Sequence, residues 1–423
     1  MKYRKNEAKE YAKKMLHGVW TALPTVFTRD DRVDDAGNAA NLEHCISKLN
    51  LAGHYCLGNV GEFWAMTNEE RMRVVEINVD TVKGRVPLIA GCHHQNPYEA
   101  VKLAQHAQSA GADFVIILTP YIAARGDDAV YDYFKFVCDR VDIGIVLFNT
   151  EQTYPISAKL ARRLATLPNI CGYKQGVGKM APTTALRDAV GKEIEVSVAD
   201  EAPWLYNIAV AGDHWLLNYC PHLYQVPGYT PVNDYTKAAF AGDLNKAAEI
   251  CRSINPLRSV LAKWIPGYGS GGRMAIAEQK FWMECLGMVG GPVRVPCAEM
   301  TDDMKKQMRA DLEATGLPAK ARAAGQQKRA ARPPRLLCRH PSLDKEGNIF
   351  LPFRPPPIPG GVIFPFASLP PPSSRSNRVQ FAPWNAGVQC MLERIMALRM
   401  VSILRMQATT ATLCGLPRAT KRS

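Results

Sequence analysis

The chain has no apolar run approaching about 18 residues, the length a helix needs to cross a bilayer, so no membrane span is expected among its 423 residues. Its first residues, MKYRKNEAKEYAKK, are basic but lead into no apolar core and no small-residue cleavage site, so no secretory leader is expected. No two of the 12 cysteines stand in C-x-x-C spacing, which argues against a zinc knuckle or a redox pair. Most of the nine that precede Pro318 sit beside apolar residues, as in HYCLG and NICGY. They read as buried, reduced thiols of a cytoplasmic protein.

A basic excess is also missing from most of the chain. The formal net charge is +13, from 52 Lys+Arg and 39 Asp+Glu. From Pro318 onward there are 17 basic and 3 acidic residues, which leaves 35 basic and 36 acidic before it. The main domain is therefore close to neutral, and a nucleic-acid reading would rest on the tail alone. That tail, residues 318–423, holds 15 of the 30 prolines in stretches such as RPPPIPGG and LPPPSS. Such a composition cannot easily bury a core and is expected to be largely disordered. Within it, Val388–Met406 has the spacing of a short basic amphipathic helix, which can equally arise by accident in unselected sequence. The break follows a natural helical ending, ADLEATGL, so a non-native C-terminus is preferred over an arm for nucleic acid or a membrane surface. Deleting residues 318–423 is expected to leave fold and activity intact; loss of the soluble domain on truncation would refute this.

What is present is alternation. Eight short apolar runs read as buried parallel strands: Val19–Val26, His54–Leu57, Pro87–Ala90, Phe114–Leu118, Ile143–Phe148, Ile170–Tyr173, Glu195–Val198 and His214–Asn218. Between them lie segments with helical spacing, such as Leu42, Cys45, Ile46 and Leu49. Thr67 with Glu70 forms a capping box, and Asn96-Pro97 places proline at a first helical position. Eight strand–helix units in residues 18–317 predict a closed (β/α)8 barrel, the TIM-barrel architecture. The rival is an open doubly wound sheet, but that fold usually carries a G-x-G-x-x-G turn after its first strand, where PTVFTRDDRVD stands here. Further helices are expected after Tyr229, in NDYTKAAFAGDLNKAAEICRSI and from Met274 to Leu286. The expected organisation is an extension at 1–17, the barrel with its C-terminal helices at 18–317, and the tail.

Barrel active sites form at the C-terminal ends of the strands. The polar groups there are the candidates: the turn Gly58–Phe63, then Cys92, His93 and His94, then Thr119–Tyr121, Phe148–Tyr154, Lys174, Asp200 with Glu201, and Asn218, Tyr219 and His222. Lys174 ends an apolar strand and precedes a glycine-containing loop. A lysine facing a barrel interior loses hydration, which disfavours its ammonium form. A neutral amine attacks a ketone to form an imine, an electron sink for making or breaking the adjacent C–C bond. By position alone, a lysine that reaches out past the strand end fits as well.

GNVGEF resembles the G-x-x-G-E motif of the dihydrodipicolinate synthase and N-acetylneuraminate lyase family of class I aldolases. The similarity continues through TNEER, GRVPLIAG, AQSAGADFVIILTPY, the FN of strand five, GYK and GGPVRVP, and covers roughly residues 18–317. It implies a (β/α)8 lyase, tetrameric or dimeric, with Lys174 as Schiff-base lysine for a pyruvate-like 2-oxo acid and with no metal or organic cofactor. With the strand-end positions, it leads to expected substrate contacts from Asn59, Val60, Tyr121 and Asn149, and, by position alone, from Asp200, Glu201 and Asn218.

The departures from that pattern are specific. The two hydroxyls of G-T-T-G-E are replaced by Asn59 and Val60, whose backbone N–H groups can still hold a carboxylate. The tyrosine of the usual Y-N is Phe148, which cannot carry a proton, and the second of the paired tyrosines after T-P is Ile122. The arginine that dihydrodipicolinate synthases carry after Y-N is absent from EQTY. A histidine, His93 or His94, or a water is expected to replace the missing phenol, with Tyr154, Glu201 and Tyr219 as weaker candidates. Gly58 and Gly61 allow the tight turn, and Glu62 ties down the loop rather than reacting. The reading is a cytoplasmic Schiff-base lyase performing aldol cleavage, condensation or dehydration, with no membrane or nucleic-acid partner. The alternatives are an authentic 4-hydroxy-tetrahydrodipicolinate synthase and a non-catalytic barrel that binds 2-oxo acids.

Overall fold

The computed structural model describes residues 2–121, 126–150, 153–176, 180–266 and 274–330. The chain divides into a unit at Met1–Leu337 and another at Cys338–Ser423; the second, with the Val388–Met406 segment, lies outside the described residues.

The eight expected strands are all present: β1 Gly18–Ala22, β2 Gly53–Cys56, β3 Leu88–Gly91, β4 Phe114–Leu118, β5 Gly144–Asn149, β6 Ile170–Gln175, β7 Glu195–Val198 and β8 Trp215–Asn218. They pair in chain order, all parallel, and β8 closes on β1 to complete a barrel. β1 stops four residues earlier than its apolar run suggests, because Pro24 has no N–H for the ladder. β5 and β6 run one and two residues further than expected, so that Lys174 lies within a strand, paired with Phe148 on one side and Ser197 on the other.

The crossover helices are α2 Asp35–Ser47, α3 Asn68–Val82, α4 Pro97–Ala110, α5 Asp127–Cys138, α6 Ala158–Leu164, α7 Met180–Val190 and α8 Trp204–Ala211. The Thr67–Glu70 capping box forms at the start of α3, and Asn96 caps α4 with Pro97 in its first turn. The stretch after Tyr229 makes two helices rather than one, Pro231–Phe240 and Leu244–Ser253, separated at Gly242, whose φ of 82° ends the first. Asn255–Trp264, Ile276–Cys285 and Asp302–Ala314 follow. A last helix, Leu317–Ala330, begins where the tail was expected to begin. Its Arg322 pairs with Glu313 at 2.7 Å and its Lys320 lies 4.9 Å from the Tyr229 ring, so a cut after Ala330 preserves contacts that a cut after Leu317 removes.

Strand alternation splits the core into two shells. Trp20, Tyr55, Ile89, Phe114, Ile116, Val146, Phe148, Trp215 and Leu217 fill the barrel interior, while Leu88, Val115, Ile117, Ile145, Leu147 and Tyr173 pack outward on the helices. The interior cluster also contains Tyr3, Ala8, Ala12 and Leu16. These belong to an N-terminal helix, α1 Ala8–Met15, and its approach, which seal the end of the barrel where the strands begin. The Tyr3 hydroxyl accepts from Gly144 N–H at 2.8 Å and donates to Asp113 O at 2.6 Å, both at strand starts. The segment from Tyr3 to Leu16 thus packs against the interior cluster rather than standing clear of it. Among the described residues no helix is long and apolar enough to cross a membrane, and all nine described cysteines are free thiols.

Candidate active site

Lys174 points into the barrel near its C-terminal end and is 7% exposed. Among the described residues it forms no ion pair, and its amine lies 4.0 Å from the centroid of the Phe148 ring. Loss of hydration, with no carboxylate to offset it, lowers the amine from an ordinary 10.5 to about 7. Near neutral pH a large share of it is unprotonated and nucleophilic.

The ring that contacts the amine, Phe148, is itself packed against two others. Phe148 is tilted against the His93 imidazole, with centroids 6.0 Å apart, and meets the edge of the Tyr55 ring at 6.4 Å. His93 is buried and doubly bonded: Leu118 N–H donates to Nδ1 at 3.0 Å, and Nε2 lies 2.8 Å from the Tyr55 hydroxyl. Burial, Arg71 and Lys174 together hold His93 well below the ordinary histidine range, so the ring is neutral. Arg71, from α3, is buried behind this loop and donates to the carbonyls of Gly91 and His93 at 3.2 and 3.0 Å. His94 lies apart from these rings. Its Nδ1 accepts from Asn96 N–H at 3.0 Å at the start of α4.

The Gly58–Phe63 turn lies beside the same cluster, and Val60 packs with Tyr55 and Phe148. The left-handed residues here are not the glycines: Leu57, just before the turn, has φ 61° and Glu62 φ 55°. Gly58 is needed for space, since a Cβ there would stand 2.8 Å from the Tyr55 ring. Glu62 is fully buried; one oxygen is 2.6 Å from Lys280 Nζ and the other accepts Arg294 N–H at 3.0 Å. Arg294 in turn pairs with Glu70 of the capping box at 2.7 Å and lies 4.2 Å from the Phe27 ring. GNVGEF, TNEER and GGPVRVP, far apart in the chain, therefore meet as one buttress behind the Gly58–Phe63 turn. The carboxylate ties down a distant segment and a buried cation, rather than N–H groups of its own loop.

Several expected substrate contacts do not converge on Lys174. Asn149 donates to Gln175 Oε1 and accepts from Ile156 N–H, tying the ends of β5 and β6 to the loop beyond. Glu201 faces the outer helices, 2.7 Å from Arg258, and accepts from the Tyr235 hydroxyl at 2.5 Å. Asn218 donates to Ala199 O and accepts from Cys220 N–H, so both ends of its amide are occupied by backbone. Asp200 lines a groove of about 700 Å³ outside the barrel, with Arg187, Tyr206 and Asn207 of α7 and α8. Asn149 and Asn218 follow the inward residues Phe148 and Leu217, so alternation turns them away from the interior, whereas Asp200 and Glu201 lie past the end of β7. Tyr154 donates to Asp127 at 3.1 Å. Tyr121 is 57% exposed and held by its N–H to Gln95 Oε1 at 2.9 Å, and Asn59 is half-buried in the turn. Ile122 and residues 151–152 of EQTY lie outside the described residues.

The model of the dihydrodipicolinate synthetase family matches residues 15–315, well over half of the chain. The chain belongs to that family. Proteins of this family named 4-hydroxy-tetrahydrodipicolinate synthase match with comparable coverage. That of Methylobacterium radiotolerans is 32% identical over 310 residues, spanning 71% of this chain and 96% of the relative. That of Acidiphilium cryptum is 30% identical over 309 residues, spanning 72% and 99%. The crystal structure of dihydrodipicolinate synthase from Aquifex aeolicus is 26% identical, covers 71% of this chain and 99% of its own, and superposes with a TM-score of 0.63. The family match ends at residue 315, close to the start of the helix Leu317–Ala330.

Sequence reasoning located Lys174, Phe148 and His93 but passed over Tyr55, Arg71, Lys280 and Arg294. A signal existed for Tyr55. In Gly53–Cys56, alternation places His54 and Cys56 on one face and Tyr55 on the other, and an inward tyrosine needs a polar partner.

Proposed function

We propose that this member of the dihydrodipicolinate synthetase family is a class I, Schiff-base-forming lyase acting on a pyruvate-like 2-oxo acid. The observation that carries this is the buried Lys174 amine inside the barrel, in no ion pair among the described residues and lowered to about 7. The neutral amine adds to the keto carbon, and loss of water gives an iminium. Loss of a C3 proton then gives an enamine. The enamine attacks an aldehyde, and the reverse sequence cleaves the bond. Backbone N–H groups of Asn59 and Val60 are assigned to the substrate carboxylate, and Tyr121 to the rim of the site.

The relatives named 4-hydroxy-tetrahydrodipicolinate synthase make that activity the obvious alternative, but Phe148, Val60 and the cation-free EQTY remove groups the resemblance assigns to it. A barrel that only binds is disfavoured by the amine itself, which is costly to bury and has no structural ion pair among the described residues. We further assign the protein to the cytoplasm, in keeping with its free thiols, and to a homo-oligomer, tetramer or dimer.

The test is reductive trapping. Incubation with pyruvate followed by borohydride is expected to add a pyruvate-derived mass to Lys174, located by peptide mapping. Absence of the adduct with pyruvate and a panel of other 2-oxo acids would remove the lyase reading.

A further inference from the structure

We propose that the Tyr55 hydroxyl is the proton-transferring group of this site, taking over from strand two the task of the phenol that strand five lacks. The inference rests on the Schiff-base reading of Lys174 and adds a residue to it. The geometry has three parts. Tyr55 is an interior residue of β2, 1% exposed, whose ring meets the edge of Phe148, the ring that also contacts the lysine amine. Its hydroxyl reaches up to the Gly58 turn, where a Cβ on Gly58 would stand 3.1 Å from the oxygen. It lies 2.8 Å from His93 Nε2.

The other nitrogen of His93 sets the direction of this hydrogen bond. Leu118 N–H donates to His93 Nδ1, so that nitrogen must offer its lone pair. A neutral imidazole then carries its one hydrogen on Nε2 and donates it to the Tyr55 oxygen. Tyr55 accepts from the histidine and keeps its own hydrogen for another acceptor. His93 is in consequence a positioning residue, not the acid or base expected from its place after strand three. Its ring holds the phenol in place and its N–H stabilises the phenolate when the proton leaves.

The steps balance. Addition of the neutral amine to the ketone gives a carbinolamine. Tyr55 protonates its hydroxyl, which departs as water and leaves an iminium cation and a phenolate. The cation offsets the cost of a buried phenolate, and His93 Nε2–H donates to it. The phenolate then removes a proton from C3, giving the neutral enamine and regenerating the phenol. No oxidant, reductant or metal enters.

The experiment follows pyruvate methyl exchange in D₂O by proton NMR, alongside borohydride trapping. Tyr55→Phe is expected to reach the same final extent of trapping on Lys174 as the unaltered protein, while methyl exchange falls on the order of 10²-fold or more. Exchange within about threefold of the unaltered protein would overturn the assignment, because general acid–base catalysis contributes far more than that. Trapping that fails in the unaltered protein would instead sink the Schiff-base reading. Should Tyr55→Phe not fold, 3,5-difluorotyrosine installed at position 55 keeps the ring and the hydroxyl while making the phenol more acidic. It is expected to move the pH profile of exchange toward lower pH. An unmoved profile would show that the hydroxyl is structural and overturn the proposal.

Discussion

Replacing Lys174 by methionine is expected to abolish borohydride-dependent labelling by pyruvate and, at the same time, to make the protein more stable. Both effects come from the same burial. The amine is lowered from 10.5 to about 7 because the folded barrel disfavours its charged form. The unfolded chain binds a proton that the native state has largely released between pH 7 and 10.5, so stability rises with pH across that window. Below about pH 7 the unfavourable contribution is at its full size, on the order of 3–5 kcal/mol by the size of the shift. Methionine has no charge to dehydrate and similar length. Its advantage over the unaltered protein should be greatest at pH 7 and below and should fade toward pH 10.5. Denaturant midpoints of both proteins across pH 6–10 measure it. A methionine variant that is less stable at pH 6 would mean the amine is hydrated. In the unaltered protein, the rate of adduct formation should rise through about pH 7 and level off above it, as the amine loses its proton.

The second large effect is expected at the buttress behind the site. Lys280→Met leaves the fully buried Glu62 carboxylate with the Arg294 N–H as its one remaining partner among the described residues, and should cost about 3–5 kcal/mol of stability. The same substitution removes the cation 4.7 Å from the Phe27 ring. Burial pulls the Lys280 ammonium down even beside its partner, so this pair sits near the break-even point for desolvation. The double variant Glu62→Gln/Lys280→Met should therefore recover much of the loss, since no lone charge stays inside. A double-mutant cycle by urea denaturation tests this. A Lys280→Met cost below about 1 kcal/mol would show that Glu62 finds another partner. Activity should fall with the single variant too, because the Gly58–Phe63 turn lies against Tyr55.

The fold was legible because buried parallel strands write themselves as short apolar runs, and all eight were found. The misjudged ends have local causes, such as the proline after Leu23 that stops β1. Helix α1 was missed because its buried face consists of Ala8 and Ala12, small residues that leave a lysine-rich segment looking like a solvated arm. Within the site, Lys174 could be read because its place at the end of an apolar strand coincides with the GYK of the family resemblance; position alone left an outward-reaching lysine as good a reading. Glu201 and Asn218 misled because position at a strand end does not reveal which way a side chain turns, and their partners, Arg258 and the Ala199 carbonyl, are set by tertiary packing. Tyr55 hid for the opposite reason: an aromatic residue inside a strand fits the core so well that its hydroxyl attracts no attention.

The helix beneath the strands gives the barrel a floor. Leu16 presses up toward Gly172, where a Cβ would meet its side chain at 3.3 Å, and Gly172 sits one inward position below Lys174. Among the described residues the barrel is filled at the end where the strands begin, so substrate, product and expelled water are expected to pass at the end where the strands finish. A chain begun at Gly18 would be a tube rather than a vessel, and water entering from below would let the amine keep the proton it has to lose.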